Sequence, residues 1–182
     1  MDDGSCITVV LGCTDSTLFN YNAAANIDDG SCIYLAIGVT YGGGIFFWLD
    51  GNGGGLIAAP YNQSNGTNWG CYGIAIGKAI GTGAQNIINI VNAGCGVGTA
   101  ADICANYTDG KYSDWFLPSR EELRLMFVNL QLQELGGFAN NFYWSSTEDD
   151  NFYAWLRSFT NGYEYPINKN STNSIVRDVR AF

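Results

Sequence analysis

A chain of 182 residues with 47% hydrophobic and 14% aromatic content can close one good-sized core and a small appendage. A formal charge of −9 gives a surface that repels phosphate backbones and anionic headgroups, which argues against nucleic acid and membranes as partners. Six cysteines without any histidine rule out mixed Cys/His zinc sites and imidazole bases, and favour disulfides and therefore an oxidising, extracellular compartment.

The first residues, Met1-Asp2-Asp3-Gly4, have neither a basic region nor an apolar leader, so the chain reads as a cut from a longer protein. No apolar run reaches the roughly 18 residues that a membrane span needs. Asp2-Asp3-Gly4-Ser5-Cys6-Ile7 recurs as Asp28-Asp29-Gly30-Ser31-Cys32-Ile33, an internal repeat. The complete unit, residues 12–32, has a cysteine at each end and few large apolar residues, too little to fold unaided. A Cys13–Cys32 bridge is the expected staple, leaving Cys6 with its partner upstream. The unit resembles the Asp/Asn-rich thrombospondin type 3 repeats of large secreted proteins. That resemblance implies Ca²⁺ held by carboxylate and amide oxygens, here Asp15, Asn26, Asp28 and Asp29. The alternative is a solvated acidic turn with Gly30 at positive φ. Residues 1–33 form this repeat segment and residues 34–182 the main domain.

Beyond Ile33 the pattern turns to β-branched and aromatic alternation. Strands are predicted over residues 37–41, 45–49 and 55–59, the last two joined by a hairpin at Asp50-Gly51-Asn52-Gly53. Residues 60–70 read as polar loop and the Gly-rich residues 77–83 as surface loop, since they lack the GK[ST] ending of a phosphate loop. Helical spacing covers residues 84–91, and a second short helix residues 99–107. Ser119-Arg120-Glu121-Glu122, just after Pro118, is a capping box that starts a third helix with Leu123, Met126, Phe127 and Leu130 on one face. Strands return over residues 142–146, 154–159, 163–165 and 175–182. Strands, helices, then strands define an α+β domain whose terminal strand pairs with one of the first.

Tyr112-Ser113-Asp114-Trp115-Phe116-Leu117-Pro118-Ser119-Arg120-Glu121-Glu122-Leu123, Tyr143-Trp144-Ser145-Ser146-Thr147-Glu148 and the closing Val176-Arg177-Asp178-Val179-Arg180-Ala181-Phe182 resemble the Lcl C-terminal domain family, named after a collagen-like bacterial adhesin. Gly42-Gly43-Gly44-Ile45-Phe46-Phe47 and Gly55-Leu56-Ile57-Ala58-Ala59-Pro60 extend the likeness to residues 37–182. The resemblance implies a C-type-lectin-like fold with antiparallel strands and two to three helices, in a secreted, cell-surface or virion-associated protein. Related lectin-like domains are targets of diversity-generating retroelements, whose products at mutated Asn codons are mainly Asn, Asp, Ser, Thr and Tyr. Residues 149–173 are rich in these types.

Enzymatic chemistry is not expected. Lys78, Lys111 and Lys169 lie in no nucleophile motif, and no cysteine lies in the C-terminal portion, where the lectin-fold formylglycine-generating enzymes carry theirs. Glu148, Asp149 and Asp150 are adjacent and, if they shared a site, would raise one another's pKa; a Ca²⁺-binding or plain solvated loop is the competing reading. Among Cys71, Cys95 and Cys104 one pair bridges and the third is a buried thiol or meets Cys6. Trp115, Trp144 and Trp155 are expected in the core. Tyr153, Tyr163 and Tyr165, interleaved with Asn and Ser, have the composition of a binding face. The expected ligand set is Asp149, Asp150, Asn151, Tyr153, Tyr163, Tyr165, Asn168, Asn170 and Asn173, reading a glycan or cell-surface protein for adhesion. The alternative is a structural cap or oligomerisation domain of a fibre, compatible with a homo-oligomer inside a larger assembly.

Overall fold

A computed structural model describes residues 7–76 and 83–182. Cys6 with the first copy of the repeat, and the centre of the 77–83 stretch with Lys78, lie outside the described residues. The chain forms two compact units, Met1–Ala36 and Ile37–Phe182.

In the small unit, β1 (Leu11–Gly12) pairs in parallel with β2 (Ile27–Asp28), and Cys13 is bonded to Cys32. Polar side chains do the work of a core. Asn20 accepts from the Ile33 amide at 2.7 Å and donates to the Ser31 carbonyl at 2.6 Å, while Asn26 spans the Val10 amide and the Thr8 carbonyl. A disulfide closing this short loop and amides that pin its backbone replace the apolar burial that so few residues cannot supply.

The large unit is mixed α+β. Across both units the described residues hold three α-helices, eleven strands and two disulfides. A four-stranded antiparallel sheet, in the order β11-β5-β4-β3, combines β3 (Thr40–Tyr41), β4 (Gly44–Leu49), β5 (Gly55–Ala58) and β11 (Val179–Ala181). A five-stranded sheet, β6-β10-β7-β8-β9, contains β6 (Ser64–Thr67), β7 (Phe142–Glu148), β8 (Tyr153–Ser158), β9 (Glu164–Asn168) and β10 (Ser174–Val176). The terminal strand pairs with β5 as the strand pattern predicts. Two expectations are corrected. Residues 60–70 contain β6, invisible to apolar periodicity because Ser64-Asn65-Gly66-Thr67 pairs through backbone alone. The single strand expected over 175–182 is broken at Arg177 and Asp178, where the chain leaves one sheet for the other.

The helices α1 (Gly83–Asn92), α2 (Ala100–Asn106) and α3 (Arg120–Asn129) pack with the sheets around Phe47, Trp69, Ile90, Leu123, Met126 and Trp144. The capping box at α3 forms as its spacing predicts, and the Glu122 carboxylate accepts both the Ser119 amide at 2.6 Å and the Gly83 amide at 3.0 Å, tying the start of α1 to that of α3. Two indoles cross-link β7 to the β6 region: Trp69 donates to the Ser145 carbonyl at 2.7 Å and Trp144 to the Thr67 carbonyl at 2.8 Å. At the open edge of β9, the central residue is Pro166, which has no N–H to offer a further strand.

Candidate functional site

The β7–β8 turn, loop 71–76 and residues 168–170 converge at one end of the five-stranded sheet. Backbone bonds weld them: the Asp149 and Asp150 amides donate to the Tyr153 carbonyl, Gly73 donates to Asn151, and Lys169 donates to Phe152. Beneath lies a charged clamp. The Lys169 ammonium, completely buried, is ion-paired with the buried Glu148 carboxylate and donates to the Ile74 carbonyl at 3.1 Å and the Cys71 carbonyl at 3.4 Å. Glu148 also accepts the Ile76 amide at 2.9 Å, and the Cys71–Cys95 disulfide ties the loop to the segment after α1. An interior charge is tolerated only when paired and hydrogen-bonded, and this pair is both.

On this base sits an aromatic ledge. The rings of Tyr72 and Phe152, 80 positions apart in sequence, meet edge to face at 5.2 Å, and both stay nearly half exposed, at 48% and 44%. Tyr153 stands beside them, paired in register with Asn168.

The expected ligand set is divided by this geometry. Asp149, Asp150, Asn151, Tyr153, Asn168 and Asn170 gather at the ledge end, with Asp150 spending one carboxylate oxygen on the Phe152 and Tyr153 amides at 2.7 and 2.8 Å. Tyr165 and Asn173 belong to a separate cavity on one face of β8 and β9. Tyr163 lies at the other end of that hairpin, its carbonyl bonded to the Ser158 amide. A strand's period of two explains the division, since Tyr153 and Tyr165 are opposed to Asn168 and Leu156 respectively and point to opposite faces.

Glu148, Asp149 and Asp150 are spent differently: the Glu148 carboxylate is buried and paired with Lys169, Asp149 lines a groove whose wall Glu148 also reaches, and Asp150 caps its turn. That groove, about 510 Å³, runs between α3 and β8–β9 and is lined by Trp155, Arg120, Thr147 and Glu164. The Arg120 guanidinium lies 3.8 Å over the Trp155 ring and pairs with Glu164, which also takes buried Arg157. Trp115 and Trp144 are core residues, whereas Trp155 is half-buried and lines this groove. The alternation Tyr153-Ala154-Trp155-Leu156 already put Trp155 on the face of Tyr153. For Tyr72 and Phe152 no local signal existed, because the ledge is created by chain crossing.

In the small unit the four expected calcium ligands serve their own turns. Asp15 accepts the Thr17 amide and hydroxyl, Asp28 the Gly30 amide and Asp29 the Ser31 amide, while Asn26 holds the chain as described; the hydrogen bonds hold Asp15 and Asp29 below the usual carboxylate pKa. Among the described residues no group of three or more carboxylate, thiol or imidazole side chains is disposed to hold a metal ion.

Cys104 is a buried thiol that donates to Asp178 at 2.7 Å. Burial drives the thiol well above its ordinary pKa and pushes the carboxyl up to about 7. Neither faces a cavity described here, and both lie at the point where the chain changes sheets.

The site and fold define a mixed α+β, disulfide-bearing domain with a rigid aromatic surface at one end. No described helix is long and apolar enough to cross a membrane. No family model and no curated protein matches the chain.

Proposed function

We propose that this chain is an extracellular ligand-recognition and adhesion module of the C-type-lectin-like kind, with no enzymatic activity, that reads a glycan or cell-surface protein through the ledge end of its large unit. The α+β order, the return of the terminal strand to the first hairpin, and the paired cysteines all support that reading. The observation that carries it is the Tyr72–Phe152 pair: two large rings kept half in water on a base fixed by a buried ion pair, a disulfide and backbone bonds. Rigid amphipathic rings beside Asn and Asp side chains supply contact area at small entropic cost. A purified chain screened on a glycan array and on cell surfaces, with and without chelator, is expected to show binding that Tyr72→Ala/Phe152→Ala weakens about 30-fold, the loss of roughly 2 kcal/mol typical of an anchor. Unchanged binding by that variant, or no ligand for the folded wild-type chain in either screen, overturns the proposal.

A further inference from the structure

The second cavity is chemically unlike the ledge and the groove. It has a volume of about 350 Å³, at the small end of ligand-sized cavities, and so suits a single ring. Phe142, Leu156, Tyr165 and Ile167 come from three neighbouring strands, and register places Leu156 directly opposite Tyr165. Leu156 is buried, whereas Phe142 and Tyr165 are 41% and 39% exposed with rings 6.2 Å apart, edge to face.

Its polar groups are few and unspent. The chain returns past the cavity through Ser171, Asn173 and Ser174. Ser174 is only 2% exposed, and its hydroxyl has no hydrogen-bond partner among the described residues; the same holds for the side chains of Ser171 and Asn173. A ligand hydroxyl can take up these free donors and acceptors. Among the described residues, no Asp, Glu, Lys or Arg lines the cavity. An uncharged wall penalises a charged ligand, which would lose hydration without gaining a counter-ion.

We infer that this cavity is a second binding site, separate from the ledge, for one uncharged pyranose ring. The apolar C–H face of the sugar packs on Tyr165 and Phe142, and its hydroxyls bond the hydroxyl of Ser174 and the amide of Asn173. Tyr165 and Asn173, split from the rest of the expected ligand set by the strand period, are thereby reunited around one ligand.

The test is saturation-transfer NMR of the whole chain with neutral methyl pyranosides (gluco, galacto, manno and N-acetylglucosamine), alongside glucuronic acid and glucosamine. At least one neutral pyranoside is expected to bind with Kd on the order of 1–10 mM, as suits so few contact atoms. Tyr165→Ala should weaken it about tenfold, and Ser174→Ala several-fold. Both variants should keep wild-type melting curves, since Tyr165 is surface-exposed and serine to alanine removes one atom. Tyr72→Ala/Phe152→Ala should bind the pyranoside as wild type does, which separates failure here from failure of the ledge. Absence of binding by every neutral pyranoside, preference for the charged sugars, or binding indifferent to both Tyr165→Ala and Ser174→Ala would each overturn the assignment.

Discussion

Replacing Lys169 with methionine preserves most of the side chain's volume and removes its charge, leaving the Glu148 carboxylate in the interior with the Ile76 amide but without its ion-pair partner. Removing one member of a buried pair costs about 3–5 kcal/mol, far more than the 0–1 kcal/mol of a surface pair, because the remaining charge stays desolvated. Both partners here are among the most buried polar residues of the molecule, so the full range applies. The carbonyls of Cys71 and Ile74 also lose their donor, so the damage should concentrate in the loop that carries Tyr72. Urea unfolding followed by tryptophan fluorescence, disulfides intact, should show the midpoint falling by the equivalent of about 3–5 kcal/mol with little change in slope. Adding Glu148→Gln should return at least about 1.5 kcal/mol of that loss, because the remaining glutamine is neutral and still accepts from Ile76. A loss below about 1 kcal/mol for Lys169→Met, or a double variant no better than the single, would show that the pair is not the clamp described.

Three further outcomes follow from the packing of the large unit. Burial lifts Asp178 from 3.8 to about 7, so its protonated form is favoured in the folded state. Its contribution to stability is complete below about pH 4 and is lost as pH rises toward 7, a fall of roughly 4 kcal/mol at 1.36 kcal/mol per unit. Asp178→Asn should therefore abolish this part of the pH dependence and be the more stable protein at pH 8, as melts across pH 4–8 will read. The Cys71–Cys95 bridge, with a sequence separation of 24, should be worth about 3.5 kcal/mol by loop-closure entropy, so Cys71→Ala/Cys95→Ala should lower the urea midpoint accordingly. Gly44→Ala drives a Cβ into the Ala58 carbonyl across the β4–β5 ladder, and should cost at least 2 kcal/mol in the same assay.

Legibility in the sequence tracked how local the physics is. The α3 start could be read because a capping box needs only four consecutive residues, and the Cys13–Cys32 bridge because the repeat bracketed it. Strand β6 was missed because backbone pairing leaves no side-chain signature in Ser64-Asn65-Gly66-Thr67. The acidic triplet misled because β7 ends at Glu148, whose carboxylate is buried against Lys169, while Asp149 and Asp150 belong to the turn that follows. Lys169 carried no motif, and its partner lies 21 residues away with two carbonyl acceptors more than 90 positions upstream. The ledge was invisible for the same reason. Tyr72 and Phe152 become neighbours only when the clamp closes the loop on the turn.

The ledge end separates shape from side-chain identity. Its turn is held by the amides of Asp149, Asp150, Gly73 and Lys169 and by carbonyls of Tyr153, Asn151 and Phe152, all backbone groups that any residue supplies. The side chains of Asn151, Phe152, Tyr153 and Asn170 point into water and bear none of those bonds. Substitution there changes the surface with stability effects within about 0.5 kcal/mol. Asp150 is the exception, because its carboxylate receives two amides of the turn. A surface built this way can change its exposed side chains while Lys169, Glu148 and the Cys71–Cys95 bridge keep its geometry fixed.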